Sequence, residues 1–245
     1  LPLEIQAIPE GTVMPIRNAM VQVINTDPNC AWLTSYMETA LLRAVWYPTT
    51  VATVSYNCKQ VIKKYMFETT GSIEGIGFKL HDFGARGATS EESAAIGGAA
   101  HLVNFMGTDT ISAIVSTRKY YDADMAGFSI PAAEHSTMTC WGKENEAKAY
   151  ENMLDQFSKP GKLVAVVSDS YDLWNGIDNI WGDELKNKVE GSGGTLVIRP
   201  DSGDPVSIVT ETIERLMQKF GFSINVQGYR TLPDCIRVIQ GDGIE

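Results

Sequence analysis

Cysteine is scarce and scattered in this chain. Cys30, Cys58, Cys140 and Cys235 stand far apart and form no C-x-x-C pair, so neither a zinc site nor a dense disulfide framework is indicated, and a reducing cytosol is the expected compartment. Basic residues are also in short supply, 20 Lys and Arg against 30 Asp and Glu for a net charge of -10. That balance excludes the broad basic footprint that nucleic acid or an anionic membrane surface requires. An anionic small substrate would have to be met by local arginines instead. No apolar run approaches the roughly eighteen residues of a membrane span, and no basic-then-apolar start reads as a signal peptide. Solenoid repeats, low-complexity tracts and long linkers are missing too, Gly191-Ser192-Gly193-Gly194 being only a short loop.

What remains is ordinary globular composition: 245 residues, 44% hydrophobic and 20% charged, enough for a full core in one large domain with a small appendage. The chain starts at Leu1 rather than Met and stops at Glu245 just after a site-like turn, so a longer parent is expected. Residues 1–26 alternate apolar and polar around Pro9-Glu10-Gly11, predicting a small β module. Leu33, Tyr36, Met37, Ala40, Leu41, Ala44 and Val45 mark one helical face from Ala31 to Trp46, ended by Pro48, and a second helix is expected from Val51 to Thr69, closed by Gly71. Thr89 and Glu92 read as a capping box that starts a helix at Ser90, running past Ala99. The remaining order is helix 111–120, helix 137–157, strand 163–167, helix 173–185, strand 195–198, helix 206–220 and strand 236–239, which is β/α alternation.

Four apolar, strand-like runs each end in a polar cluster holding an aspartate: Leu102–Phe105 before Asp109, Leu163–Val167 before Asp169, Leu196–Ile198 before Asp201, and Ile236–Ile239 before Asp242. Parallel strands of a barrel would bring such acids together at its C-terminal mouth, an active site suited to polyols, phosphates or a metal. His81-Asp82-Phe83-Gly84-Ala85-Arg86-Gly87 places an imidazole, a ring and a guanidinium among glycines. It reads either as a loop that meets phosphate and a flat ring or as a polar turn with a buried Phe. His135 falls at a helix start, where it can meet phosphate or simply stand beside the caps Ser136 and Thr137. Arg199 and Asp201 are two residues apart at a strand end, as an ion pair or as joint holders of a ligand, while Asp204 before Pro205 reads as an N-cap. Arg237 leads a strand into Gly241-Asp242-Gly243, which is either a backbone cradle for phosphate or a tight turn. His101 reads as a structural histidine; the Trp174/Trp181 and Trp32/Trp46 pairs read as core or interface packing.

Six motifs in order, HDFGARG (81–87), LVNFMGTDT (102–110), SIPAAEHST (129–137), VVSDSYD (166–172), IRPDSGDP (198–205) and RVIQGDG (237–243), closely resemble the nicotinamide phosphoribosyltransferases of the type II phosphoribosyltransferase family, as does NTDPNCAWLTSYMETALL at 25–42. The resemblance implies an α/β fold: an incomplete (β/α) barrel-like catalytic core over residues 81–245, with residues 1–80 part of an α+β accessory domain on the N-terminal side. It implies a pentosyltransferase of NAD salvage that joins nicotinamide to 5-phosphoribosyl 1-diphosphate, giving nicotinamide mononucleotide and diphosphate. Carried onto matching positions, Phe83 stacks on the nicotinamide ring with Arg199 near it, and Asp109 accepts from the carboxamide. Arg86 and the backbone of Gly241 and Asp242 belong to the phosphate side, and Arg237 is a further substrate-binding residue; Asp169, Asp201 and Asp242 belong to the ribose and Mg²⁺ end, with Asp201 the candidate metal ligand. His135 is the histidine phosphorylated from ATP. The resemblance further implies a homodimer with the site completed by a second subunit, a cytoplasmic location, and a Gly-rich phosphate loop beyond Glu245. Nicotinate phosphoribosyltransferase of the same fold, and a non-catalytic binding protein that keeps the fold, are the alternatives.

Overall fold

In the computed structural model, which describes residues 1–244, the alternation near the N-terminus becomes an antiparallel hairpin, β1 (Leu3–Ala7) with β2 (Val21–Asn25), in register from Leu3 opposite Asn25 to Ala7 opposite Val21. The described residues form two units, Leu1–Met66 with Ile73–Ser129, and Phe67–Ser72 with Ile130 onward. The two helices expected on either side of Pro48 are instead one, α1 (Leu33–Thr70), with Pro48 inside it. Proline removes the N–H that would bond the carbonyl of residue 44. Hydroxyls beside it add bonds to neighbouring carbonyls, Thr49 Oγ1 donating to Val45 O at 2.6 Å and Thr53 Oγ1 to Thr49 O at 2.7 Å. The helix closes at Gly71, whose φ of +70° suits glycine and whose N–H donates to Phe67 O at 2.8 Å.

The first unit continues with β3 (His81–Asp82) and α2 (Glu91–His101). The cap of α2 is Ser90 rather than Thr89, its side chain accepting from Ser93 N at 3.1 Å, and Glu91 and Glu92 complement the helix dipole. Leu102–Phe105 is not a strand. It extends the coil of α2 through Leu102 N to Gly98 O and Phe105 N to His101 O, both 3.1 Å; a four-residue apolar run does not separate strand from helix end by pattern alone. The strand that follows is β4 (Gly107–Thr108), parallel to β3 with His81 opposite Gly107 and Asp82 opposite Thr108. Helix α3 (Ile111–Tyr121) packs on α2 where Gly98 has no side chain, since a Cβ there would stand 2.6 Å from Ala113 Cβ.

In the second unit the helix expected over 137–157 is divided into α4 (His135–Thr139) and α5 (Glu146–Phe157), because Gly142 adopts a φ of +80° that stops the coil. Then come β5 (Leu163–Val167), the short α6 (Leu173–Asn175) continuing as a π-helix over Gly176–Glu184, α7 (Lys186–Gly191) and β6 (Thr195–Arg199). After α8 (Pro205–Phe220) a two-stranded antiparallel ribbon, β7 (Ser223–Ile224) with β8 (Arg230–Thr231), precedes β9 (Ile236–Val238). Asp204 caps α8 by accepting from Ser207 N at 2.9 Å, as its place before Pro205 indicated.

Strands β5, β6 and β9 form a parallel sheet in that order, and no closed barrel is present among the described residues. Val164, Val166, Val167, Leu196 and Ile198 are all buried, so both faces of β5 and β6 are covered, the usual state of parallel strands written as unbroken apolar runs. Each such side chain contributes about 1.5–3 kcal/mol by leaving water. Beneath them Tyr150 and Trp181 stack with centroids 4.5 Å apart and planes 5° from parallel. Trp181 is therefore core, whereas Trp32 and Trp46 are exposed. Among the described residues no helix is long and apolar enough to cross a membrane.

Candidate active site

In the second unit, the segment Pro131–Ala133 runs beside β5, with Ala165 N donating to Pro131 O and Ala133 N to Ala165 O, both at 2.9 Å. That pairing fixes where α4 begins, and so places His135 at the C-terminal end of β5. The same strand end delivers Ser168 and Asp169. Ser168 continues the ladder by donating its N–H to Arg199 O at 3.0 Å, while its hydroxyl donates to Val166 O and accepts from Trp181 Nε1 at 3.1 Å. Asp169, with a side chain only 5% exposed, then accepts from three donors: His135 Nε2 at 2.9 Å, Asp201 N at 3.1 Å and Ser202 Oγ at 2.6 Å. A carboxylate oxygen accepts only, so Nε2 of His135 carries the proton and the Nδ1 lone pair is left, 4.0 Å from Asp201 Oδ2.

Arg199, at the end of β6, directs Nε to within 3.5 Å of Asp201 Oδ1 and an outer nitrogen to within 3.7 Å of Glu134 Oε2. Both sequence alternatives for this pair are thus compatible with one geometry, an ion pair too long for a hydrogen bond. Arg199 Nε is buried without a hydrogen-bond partner, as are Ser170 Oγ and Gln240 Oε1. Unsatisfied buried polar atoms cost about 1–3 kcal/mol each, and a polar ligand relieves such a cost. Burial holds the carboxyl of Asp201 above the usual carboxylate range, the Asp169 and Asp242 carboxylates push the same way, and Arg199 and His135 oppose them. Gly241 packs directly on Asp201, since a Cβ there would overlap Asp201 Oδ1. Asp242 is exposed, and Gln240 Nε2 braces the turn by donating to Asp242 O at 2.8 Å. Arg237 turns to its own segment, donating to Pro233 O at 3.0 Å and Ile236 O at 2.7 Å beside Asp234.

The first unit carries the other candidates. Asp82 organises the loop after β3: Oδ1 accepts from Gly84 N at 2.7 Å, and its carbonyl accepts from Asp109 N at 2.9 Å. Phe83 is 37% exposed, and Arg86 is exposed on the turn Gly84–Gly87. Asp109 Oδ1 accepts from His81 Nε2 at 3.0 Å and from the Ser129 hydroxyl. Phe83, Arg86 and Asp109 thus belong to one unit, and His135, Asp169, Arg199, Asp201, Arg237, Gly241 and Asp242 to the other.

The nicotinate phosphoribosyltransferase (NAPRTase) family matches this chain over residues 78–245. The chain belongs to that family. Among the NAPRTase family's curated members, a nicotinamide phosphoribosyltransferase of Xanthomonas campestris pv. campestris is 54% identical over 245 residues, covering all of this chain and 52% of that protein. Proteins of the same name from Acinetobacter baylyi and Mycoplasma pneumoniae are 34% and 33% identical across the whole chain, covering 52% and 55% of their own lengths. The chain spans about half the length of the curated relatives it matches. Residues that the one-dimensional reading of this NAPRTase-family chain left without a role are His81, Ser129, Glu134 and Ser202. Ser129 lies 20 residues from Asp109 and His81 lies 28 from it, separations at which spacing carries no signal.

Proposed function

We propose that the protein carrying this chain is a nicotinamide phosphoribosyltransferase that forms nicotinamide mononucleotide and diphosphate from nicotinamide and 5-phosphoribosyl 1-diphosphate. The observation that carries the choice of base is the Asp109 carboxylate, held by the Ser129 hydroxyl and by His81, whose ring lies 4.8 Å from that of Phe83. A carboxylate accepts from the carboxamide N–H₂ of nicotinamide and repels the carboxylate of nicotinate. The shared name of the relatives supports the same reading, whereas the family description keeps nicotinate phosphoribosyltransferase as the second.

Departure of diphosphate from the anomeric carbon develops positive charge on the sugar and negative charge on the leaving group. Asp169, Asp201 and Asp242 are assigned to the sugar, and Arg86 with the backbone of Gly241 and Asp242 to the phosphates. Arg199 is proposed as a further contact to the base. Mg²⁺ is part of the proposal. Among the described residues no group of three or more His, Cys, Asp or Glu could hold a metal alone, but Mg²⁺ commonly takes one or two protein carboxylates and completes its shell with water and substrate phosphates. Asp201 fits that use: burial, and after it the like charges of Asp169 and Asp242, raise its pKa, and a bound cation would offset that penalty on the carboxylate. When bound, Mg²⁺ would neutralise the leaving diphosphate. ATP is proposed as phosphoryl donor to His135, with Asp169 holding the Nε2 proton so that the Nδ1 lone pair is the nucleophile.

Residues 81–245 are assigned to a barrel-like catalytic domain and 1–80 to an accessory domain, an assignment supported by the family match over 78–245, whereas in the fold residues 81–129 group with 1–66 in the first unit. A cytosolic homodimer completes the reading, supported by exposed Trp32, Tyr36 and Trp46 and by free cysteines. The test is base selection by the full-length protein: Asp109→Asn should raise turnover of nicotinate relative to nicotinamide by about tenfold or more, and an unchanged ratio would remove Asp109 from base reading.

A further inference from the structure

Asp109 does not stand alone in its unit. A carboxylate oxygen only accepts, so the 3.0 Å contact places the proton of the His81 imidazole on Nε2, donated to Asp109 Oδ1. The ring of His81 also lies 4.8 Å from that of Phe83, tilted by 42°. Its third neighbour is set by strand register: β3 puts His81 opposite Gly107 of β4, and a Cβ on Gly107 would stand 2.6 Å from His81 Nδ1. The imidazole therefore fills the space a side chain at Gly107 would take, and its own side chain is only 16% exposed. One ring is wedged between backbone, Phe83 and Asp109, and it fixes the position of these two of the groups assigned to the base.

We propose that His81 is a positioning residue for base selection, its Nε2–H orienting the Asp109 carboxylate toward a carboxamide; the proposal rests on the reading of Asp109 as the base acceptor. An orientation fixed by a hydrogen bond adds discrimination that the charge of Asp109 alone does not supply, because a swinging carboxylate accepts equally well from water. The effect belongs to binding of one substrate. It should appear in KM for nicotinamide, with kcat and KM for phosphoribosyl diphosphate little changed.

The experiment compares His81→Phe, His81→Gln and His81→Asn with Asp109→Asn in the full-length protein, measuring kcat and KM for both bases and the unfolding temperature. His81→Phe keeps the wedge and loses the donor, so KM for nicotinamide should rise about tenfold, the factor one modest charge-assisted hydrogen bond supplies, and the preference over nicotinate should fall with it. Glutamine can place an amide N–H where Nε2 stood and should restore most of the preference; asparagine reaches only the Nδ1 position and should not. Equal behaviour of the Gln and Asn variants, or a parallel loss for both bases and for phosphoribosyl diphosphate, would reduce His81 to a structural residue and overturn the proposal. A preference that changes in Asp109→Asn but not in His81→Phe overturns the role of His81 alone, whereas no change in Asp109→Asn overturns the base-reading assignment beneath it.

Discussion

Replacing Asp169 by asparagine tests the histidine chemistry most sharply, because the substitution keeps shape and removes charge. The buried carboxylate receives Asp201 N and Ser202 Oγ on Oδ2 and His135 Nε2 on Oδ1. Asparagine offers one oxygen. Placed at Oδ2 it keeps two of the three bonds and sets an N–H₂ group against His135. The imidazole can answer by moving its proton from Nε2 to Nδ1. The fold then loses mainly the charge assistance of these bonds, about 2–3 kcal/mol if each falls from the charged to the neutral range. Chemistry loses more, since the Nδ1 lone pair proposed as nucleophile is now protonated; a wrong tautomer in an Asp–His couple costs up to about 10⁴ in rate. The assay is acid-labile phosphate incorporation from labelled ATP, read beside urea unfolding of the same protein. The expected outcome is a cooperative fold with a modestly lower midpoint and labelling reduced at least a hundredfold, an order of magnitude in keeping with such couples. Labelling at the wild-type rate would refute the tautomer argument.

Further outcomes follow from other parts of the two units. His101, buried and held by Nε2 to Gly107 O at 3.1 Å, has its pKa lowered by burial against the opposing pull of Asp82. The unfolded chain therefore binds the proton more readily than the folded one, and stability contributed by neutral His101 is complete above the ordinary histidine value of about 6.5 and lost as pH falls below it. The difference in urea midpoint between the wild type and His101→Gln should shrink from pH 8 to pH 5. Tyr150→Phe removes the donor at 3.0 Å to buried Glu146, a carboxyl already pushed up by burial; it should cost about 1–3 kcal/mol of unfolding free energy. Gly241→Ala puts a methyl group against Asp201 Oδ1, so KM for phosphoribosyl diphosphate should rise about tenfold with the unfolding midpoint nearly unchanged, measured by steady-state kinetics and calorimetry.

The local signals that the sequence carried well were those with a steric or capping mechanism. Asp204 before Pro205, the apolar blocks 163–167 and 195–198, and the glycine after α1 all became the elements they announced. Pattern failed where one residue type has two outcomes. Pro48 was absorbed into α1, Gly142 cut a helix that its flanks would have continued, and Leu102–Phe105 joined a helix end. Strand-end position was enough to find Asp169 and Asp201, which do share contacts with His135. It was not enough to find the partners: Ser202 for Asp169, Glu134 for Arg199, and Ser129 and His81 for Asp109 are brought in by strand register and by packing, which no spacing along the chain encodes. Arg237 shows the converse, a cation beside a phosphate-like turn that spends its donors on Pro233 and Ile236 carbonyls.

The central claim is tested most directly by offering the full-length protein nicotinamide and nicotinate together, at equal concentration, with 5-phosphoribosyl 1-diphosphate, Mg²⁺ and ATP, and quantifying both mononucleotides by chromatography. The account predicts nicotinamide mononucleotide with an equal amount of diphosphate, and nicotinate left unreacted. Nicotinate mononucleotide as the main product, or neither mononucleotide at all, would contradict it.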